Sequence, residues 1–304
     1  MGSAEFGLPA LNALRESGHS IVGVVTTPLR KKGRGLKMAE SPVAEFAREK
    51  GLAPVFTPAL LKTAEFVDSL IKLEADAFVV VAFRLLPFEV FSLPRLGTVN
   101  IHASLLPKFR GPAPIQRAIA AGEKETGITI FRINEGIDTG NIILQKKVII
   151  HDEETSIQLS SRLSILGAEC LLEALAMLEN GTVKYQQQDE SLTIPAPKLS
   201  KDEGNINWEL PARTLFNMIR AFKPFPGTYS FFQGKRLFIE RAVLPSVKSN
   251  EAPGTLCGIA FEGFDVQCGD YPLRILEVKP EGKATMSAKA FLLGRNILPG
   301  TRFT

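Results

Sequence analysis

The chain has 304 residues, 45% of them hydrophobic and 22% charged, with a net charge of +4. That length accommodates two domains and a sizeable core. No apolar run reaches the length of a membrane span, and the start has neither the basic nor the long apolar region of an export signal, so a cytoplasmic protein without a membrane partner is expected. The three cysteines (Cys170, Cys257, Cys268) and three histidines (His19, His102, His151) are dispersed. They form neither a disulfide framework nor a cluster with metal-ligand spacing, so no metal is expected.

Taken in chain order, residues 7–17 predict a helix with Ala10, Leu11 and Leu14 as its apolar stripe, and 20–27 a strand ended by Pro28. Ser41 as N-cap and Pro42 at the first position open a helix to Lys50. A short strand over 54–57 and a helix over 59–72 follow. The continuous apolar run 77–83 suits a strand buried on both faces. Residues 98–102 predict the next strand, 112–121 a helix, and 128–133 and 141–150 two strands around a loop containing Asp138. Thr155-Ser-Ile-Gln158 fits a capping box, opening a long helix toward Gly181. This alternation predicts an α/β, Rossmann-like domain with a parallel sheet over 1–184. A polar stretch with Gln186-Gln-Gln188 and two prolines predicts a linker over 185–203. Short strands separated by Gly and Pro turns then predict a small β-barrel over 204–304, closed by a helix over 287–293.

Asn100 and His102 are two apart in a strand, so their side chains leave the same face. Burying an amide and an imidazole costs several kcal/mol unless both are paired. A lone histidine on an apolar strand is most often a satisfied core residue. Here, however, the strand alternates polar with apolar and stops at Ser104-Leu-Leu-Pro107, placing the pair at its carboxyl end, where ligands bind in open α/β sheets. An amide that donates to a carbonyl oxygen, an imidazole that exchanges protons and an aspartate that stabilises the imidazolium suit transfer of an acyl group to an amine.

Residues 99–145 resemble the signature region of the folate-dependent formyltransferases, through Asn100-Ile-His102, Ser104-Leu-Leu-Pro107, Arg110-Gly111, Pro114-Ile-Gln116, Glu125-Thr-Gly127 and Asp138-Thr-Gly140. Met1-Gly-Ser-Ala-Glu-Phe6, Gly33-Arg-Gly35, Ser41-Pro-Val43, Ala196-Pro-Lys-Leu-Ser200 and Leu298-Pro-Gly300 extend the resemblance over nearly all of the chain, toward the branch that formylates methionyl-initiator tRNA. The resemblance implies Asn100, His102 and Asp138 as catalytic residues and 10-formyltetrahydrofolate as co-substrate. It implies folate contacts at Ser104, Leu105, Leu106, Pro107, Phe83 and Leu85, and an OB-like second domain. In that family a hydrophobic strand precedes the turn that begins here at Met1, so a sheet lacking its first strand is expected.

Charge bears on the partner. Residues 201–304 hold 14 Lys or Arg against 10 Asp or Glu, while residues 1–200 hold 22 of each sign, so the whole positive excess lies in the carboxyl third. A basic module beside a neutral catalytic one suits an anionic macromolecule. Arg34 and Lys37 in the glycine-containing basic loop, and Lys201, Arg220 and Lys223 in the carboxyl third, are the expected tRNA contacts; Lys235 and Arg236 are further candidates. A monomer is expected. The rival substrates are small amines, a glycinamide ribonucleotide or an aminosugar nucleotide; the start of the chain argues against the first and the Gly33-Arg-Gly35 loop against the second. A catalytically silent RNA-binding protein is opposed by the intact Asn100, His102 and Asp138.

Overall fold

The computed structural model describes residues 1–32, 37–295 and 297–304. The chain divides into two compact units. Unit 1 comprises 1–114, 125–149 and 159–197; unit 2 comprises 115–124, 150–158 and 198–304.

Unit 1 begins with α1 (Leu8–Glu16) and β1 (Val24–Val25), then a short antiparallel pair, β2 (Arg30–Lys32) and β3 (Lys37–Ala39). In α2 (Pro42–Glu49) the Ser41 hydroxyl accepts from Ala44 N at 3.0 Å, with Pro42 in the first turn, as the sequence predicts. β4 (Val55–Phe56), α3 (Ala64–Ile71), β5 (Phe78–Val80), α4 (Phe88–Phe91), β6 (Thr98–His102) and β7 (Lys108–Arg110) follow. β5 is shorter than the predicted run because Ala82, at φ +47°, leaves extended geometry. After α5 (Pro114–Ala120) come β8 (Glu125–Arg132) and β9 (Ile142–Ile149). α6 (Ser156–Glu179) starts at the predicted capping box, Thr155 N donating to Gln158 Oε1 at 2.9 Å, and stops two residues before Gly181, which stands at φ +65°.

The sheet differs from an all-parallel one. Its order is β5-β6-β8-β9, with β5 and β6 parallel but β6-β8 and β8-β9 antiparallel. For β8 and β9 the reason is local: they are joined by the short Asp138 loop, and a connection that short can only reverse the chain. β1 pairs with β4 in a separate parallel pair. Met1 and Gly2 lie between the two pieces, Gly2 N donating to Val25 O at 3.0 Å and Val81 N to Met1 O at 2.9 Å. Beside them is a cavity of about 450 Å³ lined by Val24, Val25, Phe78, Val79 and Leu175 among others.

The 185–203 stretch is not a free linker. Residues up to Pro197 belong to unit 1, where β10 (Ile194–Pro195) pairs in parallel with β7, Ile142 and Gln186 exchange backbone hydrogen bonds, and Gln188 is 5% exposed. Buried hydrogen bonding outweighs the polar composition that suggested a linker.

Unit 2 contains α7 (Ala212–Ala221), which the sequence reading did not identify, although Leu215, Phe216 and Ile219 stand at helical spacing. Then come β11 (Thr228–Phe232), β12 (Lys235–Val243), β13 (Leu256–Ile259), β14 (Phe264–Gln267), β15 (Pro272–Pro280), β16 (Met286–Ser287) and α8 (Ala288–Leu293). The antiparallel order is β11-β12-β15-β14-β13, with β16 on β15. The tail joins the two outer strands: Thr304 and Phe231 exchange backbone hydrogen bonds at 2.6 and 3.0 Å, while Leu256 N donates to Thr301 O and Phe303 N to Gly254 O. This closure satisfies edges that would otherwise be open, as a barrel requires. Trp208, Phe232, Phe264, Phe291 and Phe303 fill the core, with Phe264 and Phe303 stacked at 5.6 Å.

Candidate active site

The site forms in unit 1 where β6 ends. Asn100 and His102 alternate with the buried Val99 and Ile101 along β6, which puts the two polar side chains on one face. His102 is 6% exposed. Its Nε2 lies 2.9 Å from Phe109 O, and its Nδ1 lies 3.6 Å from Asp138 Oδ2. A carbonyl oxygen only accepts, so Nε2 carries the proton of that bond. Nδ1 faces the carboxylate and is the ring nitrogen not bonded to a backbone carbonyl. Among the described residues none forms a hydrogen bond with the Asn100 amide, and the residue is half-buried, so its donors remain free for a ligand.

Asp138 stands at φ +54° in the β8-β9 loop, in the left-handed region that aspartate tolerates better than most residues. Its Oδ2 accepts from Gly111 N at 2.8 Å. Two glycines permit this geometry. A side chain at Gly111 (φ +125°) would meet Ala196 O at 2.6 Å, and one at Gly140 would meet Arg132 O at 1.7 Å. The Arg110-Gly111 and Asp138-Thr-Gly140 motifs thus mark places where backbone passes close to backbone.

The Ser104-Leu-Leu-Pro107 turn is held by two residues that carried no assignment in the sequence. Thr129 Oγ1 donates to Ser104 O at 2.6 Å and accepts from Leu106 N at 3.1 Å. Gln145 Nε2 donates to Leu106 O and to Thr129 Oγ1, both at 2.9 Å. A fully buried threonine between Ile128 and Ile130 was the available signal. Of the expected folate residues, Ser104 is buried with its hydroxyl donating to Lys108 O at 2.6 Å, and Leu106 packs with Phe131 and Ile142. Phe83 packs against the Phe66–Phe78 core. These three side chains serve the fold. Leu105 and Pro107 are half-buried and Leu85 is 66% exposed, leaving apolar surface for a flat ring system. None of Asn100, His102 and Asp138 lines the cavity beside β1.

The expected tRNA contacts divide. Arg34 lies outside the described residues, and Lys37 is placed only as the first residue of β3. Lys201 is exposed. Arg220 is corrected: it is 7% exposed, and its guanidinium donates to Asn217 Oδ1 at 3.1 Å, His151 O at 3.2 Å and Glu154 O at 3.1 Å. Burial lowers its pKa. It ties α7 to the 151–154 turn within unit 2 and is not a free phosphate ligand. Lys223 is likewise engaged, its Nζ donating to Glu240 O with Glu240 Oε2 at 3.4 Å. Arg236 lies over the Tyr229 ring at 4.3 Å. Among the described residues no group of three or more His, Cys, Asp or Glu side chains could hold a metal ion, and no helix is long and apolar enough to cross a membrane.

Residues 1–175 match the family described as formyl transferase, and residues 198–296 match formyl transferase, C-terminal domain. The chain is 41% identical over 303 residues, 99% of its length and 97% of the relative's, to methionyl-tRNA formyltransferase of Caldanaerobacter subterraneus. It is 41% identical over 302 residues, 98% of its length and 96% of the relative's, to that of Coxiella burnetii. Its fold is similar to the N-formyltransferase from Helicobacter canadensis solved with folinic acid and dTDP-3-aminofucose, with TM-score 0.66 at 18% identity, covering 90% of this chain and 97% of the other.

Proposed function

Because this chain belongs to the formyl transferase family, we propose that it moves the formyl group of 10-formyltetrahydrofolate onto the free amine of methionyl-initiator tRNA, with Asn100, His102 and Asp138 at the reacting centre. The observation that carries the substrate is the identity shared with relatives named for methionyl-tRNA through both units, the basic second one included.

Transfer joins the amine nitrogen to the formyl carbon and breaks that carbon's bond to N10 of the folate. Negative charge builds on the formyl oxygen between these events. The Asn100 amide, without a hydrogen-bond partner among the described residues, donates to that oxygen. The amine must lose a proton and the departing nitrogen must gain one. His102 Nδ1 serves both needs, because Nε2 stays committed to Phe109 O while Nδ1 faces Asp138 at 3.6 Å. The Asp138 carboxylate, fixed by Gly111 N at 2.8 Å, stabilises the ring while it is cationic. Leu105, Pro107 and Leu85 supply the apolar surface for the folate; Ser104 and Leu106 act on it through the backbone of their turn. Lys201, Lys37 and Arg34 contact the tRNA backbone, fixing its position. The reading includes a monomer acting in the cytoplasm; a site whose Asn100, His102 and Asp138 come from one unit of one chain is consistent with it.

The test is formylation by the purified chain with 10-formyltetrahydrofolate and three acceptors: methionyl-initiator tRNA, a dTDP-aminosugar and glycinamide ribonucleotide. Product on the tRNA alone is expected. Product on either small amine with none on the tRNA overturns the reading.

A further inference from the structure

Gln188 lies in the stretch whose composition suggests a linker, yet it is 5% exposed and all of its hydrogen-bonding capacity is used. Its Nε2 donates to Asp138 O at 2.9 Å and to Gly140 O at 2.8 Å. Its Oε1 accepts from Arg110 Nε at 3.0 Å and Arg110 Nη2 at 2.8 Å. The orientation of the amide follows from its partners: turned over, its N–H groups would face guanidinium N–H groups and its oxygen would face two carbonyls. Arg110 is held from its other side, Nη1 and Nη2 each donating to a Glu190 oxygen at 2.8 Å.

One end of this side chain bonds the backbone of one segment beside the His102 ring, and the other holds the Arg110 side chain that projects from a second. The second is the strand around Arg110, whose neighbours Phe109 and Gly111 contact His102 Nε2 and Asp138 Oδ2. The first is the Asp138–Gly140 turn, where Asp138 keeps a left-handed φ of +54°. An unfavourable backbone conformation persists only where its surroundings hold it. Gln188 bonds the carbonyls on both sides of Thr139 and supplies that restraint.

We propose that Gln188, backed by Arg110 and Glu190, is a positioning residue that sets the Asp138 carboxylate against His102 by clamping the Phe109–Gly111 strand to the Asp138–Gly140 turn. The proposal rests on the reading of this site as the formyl-transfer centre. Gln188 contacts no reacting atom and acts through Asp138. Its removal therefore lowers the rate of the chemical step and leaves binding of both substrates nearly intact.

Two readouts test this. The first needs no substrate. Gly111 N–H donates to Asp138 Oδ2, so its hydrogen exchange reports where the carboxylate sits. In Gln188→Leu, exchange at Gly111 should accelerate by at least about tenfold relative to core amides of β8, approaching that of Asp138→Ala. The second is kinetic. Gln188→Leu should lower kcat by about 10- to 100-fold with each KM within about threefold, and in the Asp138→Ala background it should cost almost nothing more. Should Gln188→Leu not fold, Gln188→Glu carries the same test: it keeps the acceptors toward Arg110 and loses the donors to the two carbonyls. Unchanged Gly111 exchange, or a loss that adds in full to that of Asp138→Ala, overturns the clamp. Absence of formyl transfer in the wild-type chain, with Gly111 exchange responding as expected, overturns the reading of the site and leaves the clamp standing.

Discussion

The His102 ring illustrates how a single buried side chain acquires a function from its two neighbours. Phe109 O accepts from one nitrogen, and the Asp138 carboxylate faces the other at 3.6 Å. Asn100, with no protein partner among the described residues, supplies the remaining element, a donor waiting for an oxygen. Asn100→Ala should lower the single-turnover formylation rate by about 100- to 1000-fold, the loss typical of one oxyanion donor. Thermal stability should barely change, because the amide has no hydrogen-bond partner among the described residues. A loss of tRNA affinity without a loss of single-turnover rate at saturation would contradict the role. Arg220 makes the opposite case. Removing its guanidinium leaves the carbonyls of His151 and Glu154 without that partner inside unit 2. Arg220→Ala should destabilise the protein by about 2–3 kcal/mol, read from denaturant midpoints, and leave the KM for tRNA essentially unchanged at temperatures where the variant is folded.

Among elements, the strands matter less for their length than for where they stop. β6 delivers Asn100 and His102; the 104–107 turn then depends on β8 and β9, through Thr129 and Gln145, for its shape. Thr129→Val preserves volume but removes a buried hydroxyl that donates one hydrogen bond and accepts two. It should cost about 2–3 kcal/mol of stability and raise the KM for the folate more than that for the tRNA, as measured by steady-state titration of each substrate. Equal effects on both KM values would separate the turn from the folate site. β10 shows that sequence composition misjudges an element when its hydrogen bonds are long-range: Ile194 and Pro195 pair with Lys108 and Arg110, about eighty positions earlier in the chain.

Each of the two units holds a fully buried cysteine, Cys170 in unit 1 and Cys268 in unit 2. Burial pushes the Cys170 thiol up to about 11 and the Cys268 thiol up to about 12. Neither forms thiolate near neutral pH, and neither is accessible. At pH 8 a thiol reagent should label the half-buried Cys257 first. On addition of denaturant, labelling of Cys170 should follow unfolding of unit 1 and labelling of Cys268 that of unit 2, read by peptide mass spectrometry. Labelling of either under native conditions at a rate near that of Cys257 would contradict the packing described.

The sequence alone determined much of this protein. Short-range signals fixed the Ser41 and Thr155 caps, the stop before Gly181, the strand carrying Asn100 and His102, and the family motifs, because each depends on residues within a few positions of one another. The basic excess of the carboxyl third was legible for the same reason that charge is a sum and needs no fold. Only the tertiary structure decided the rest. It reversed β8 against β6 and closed the second sheet through Thr301–Thr304. It buried Arg220 as a structural cation, and drew Gln188 out of a polar tract to grip Asp138. Each of these depends on pairing between residues far apart in the chain, where a hydrogen bond forms only after folding of its own unit has brought its partners together.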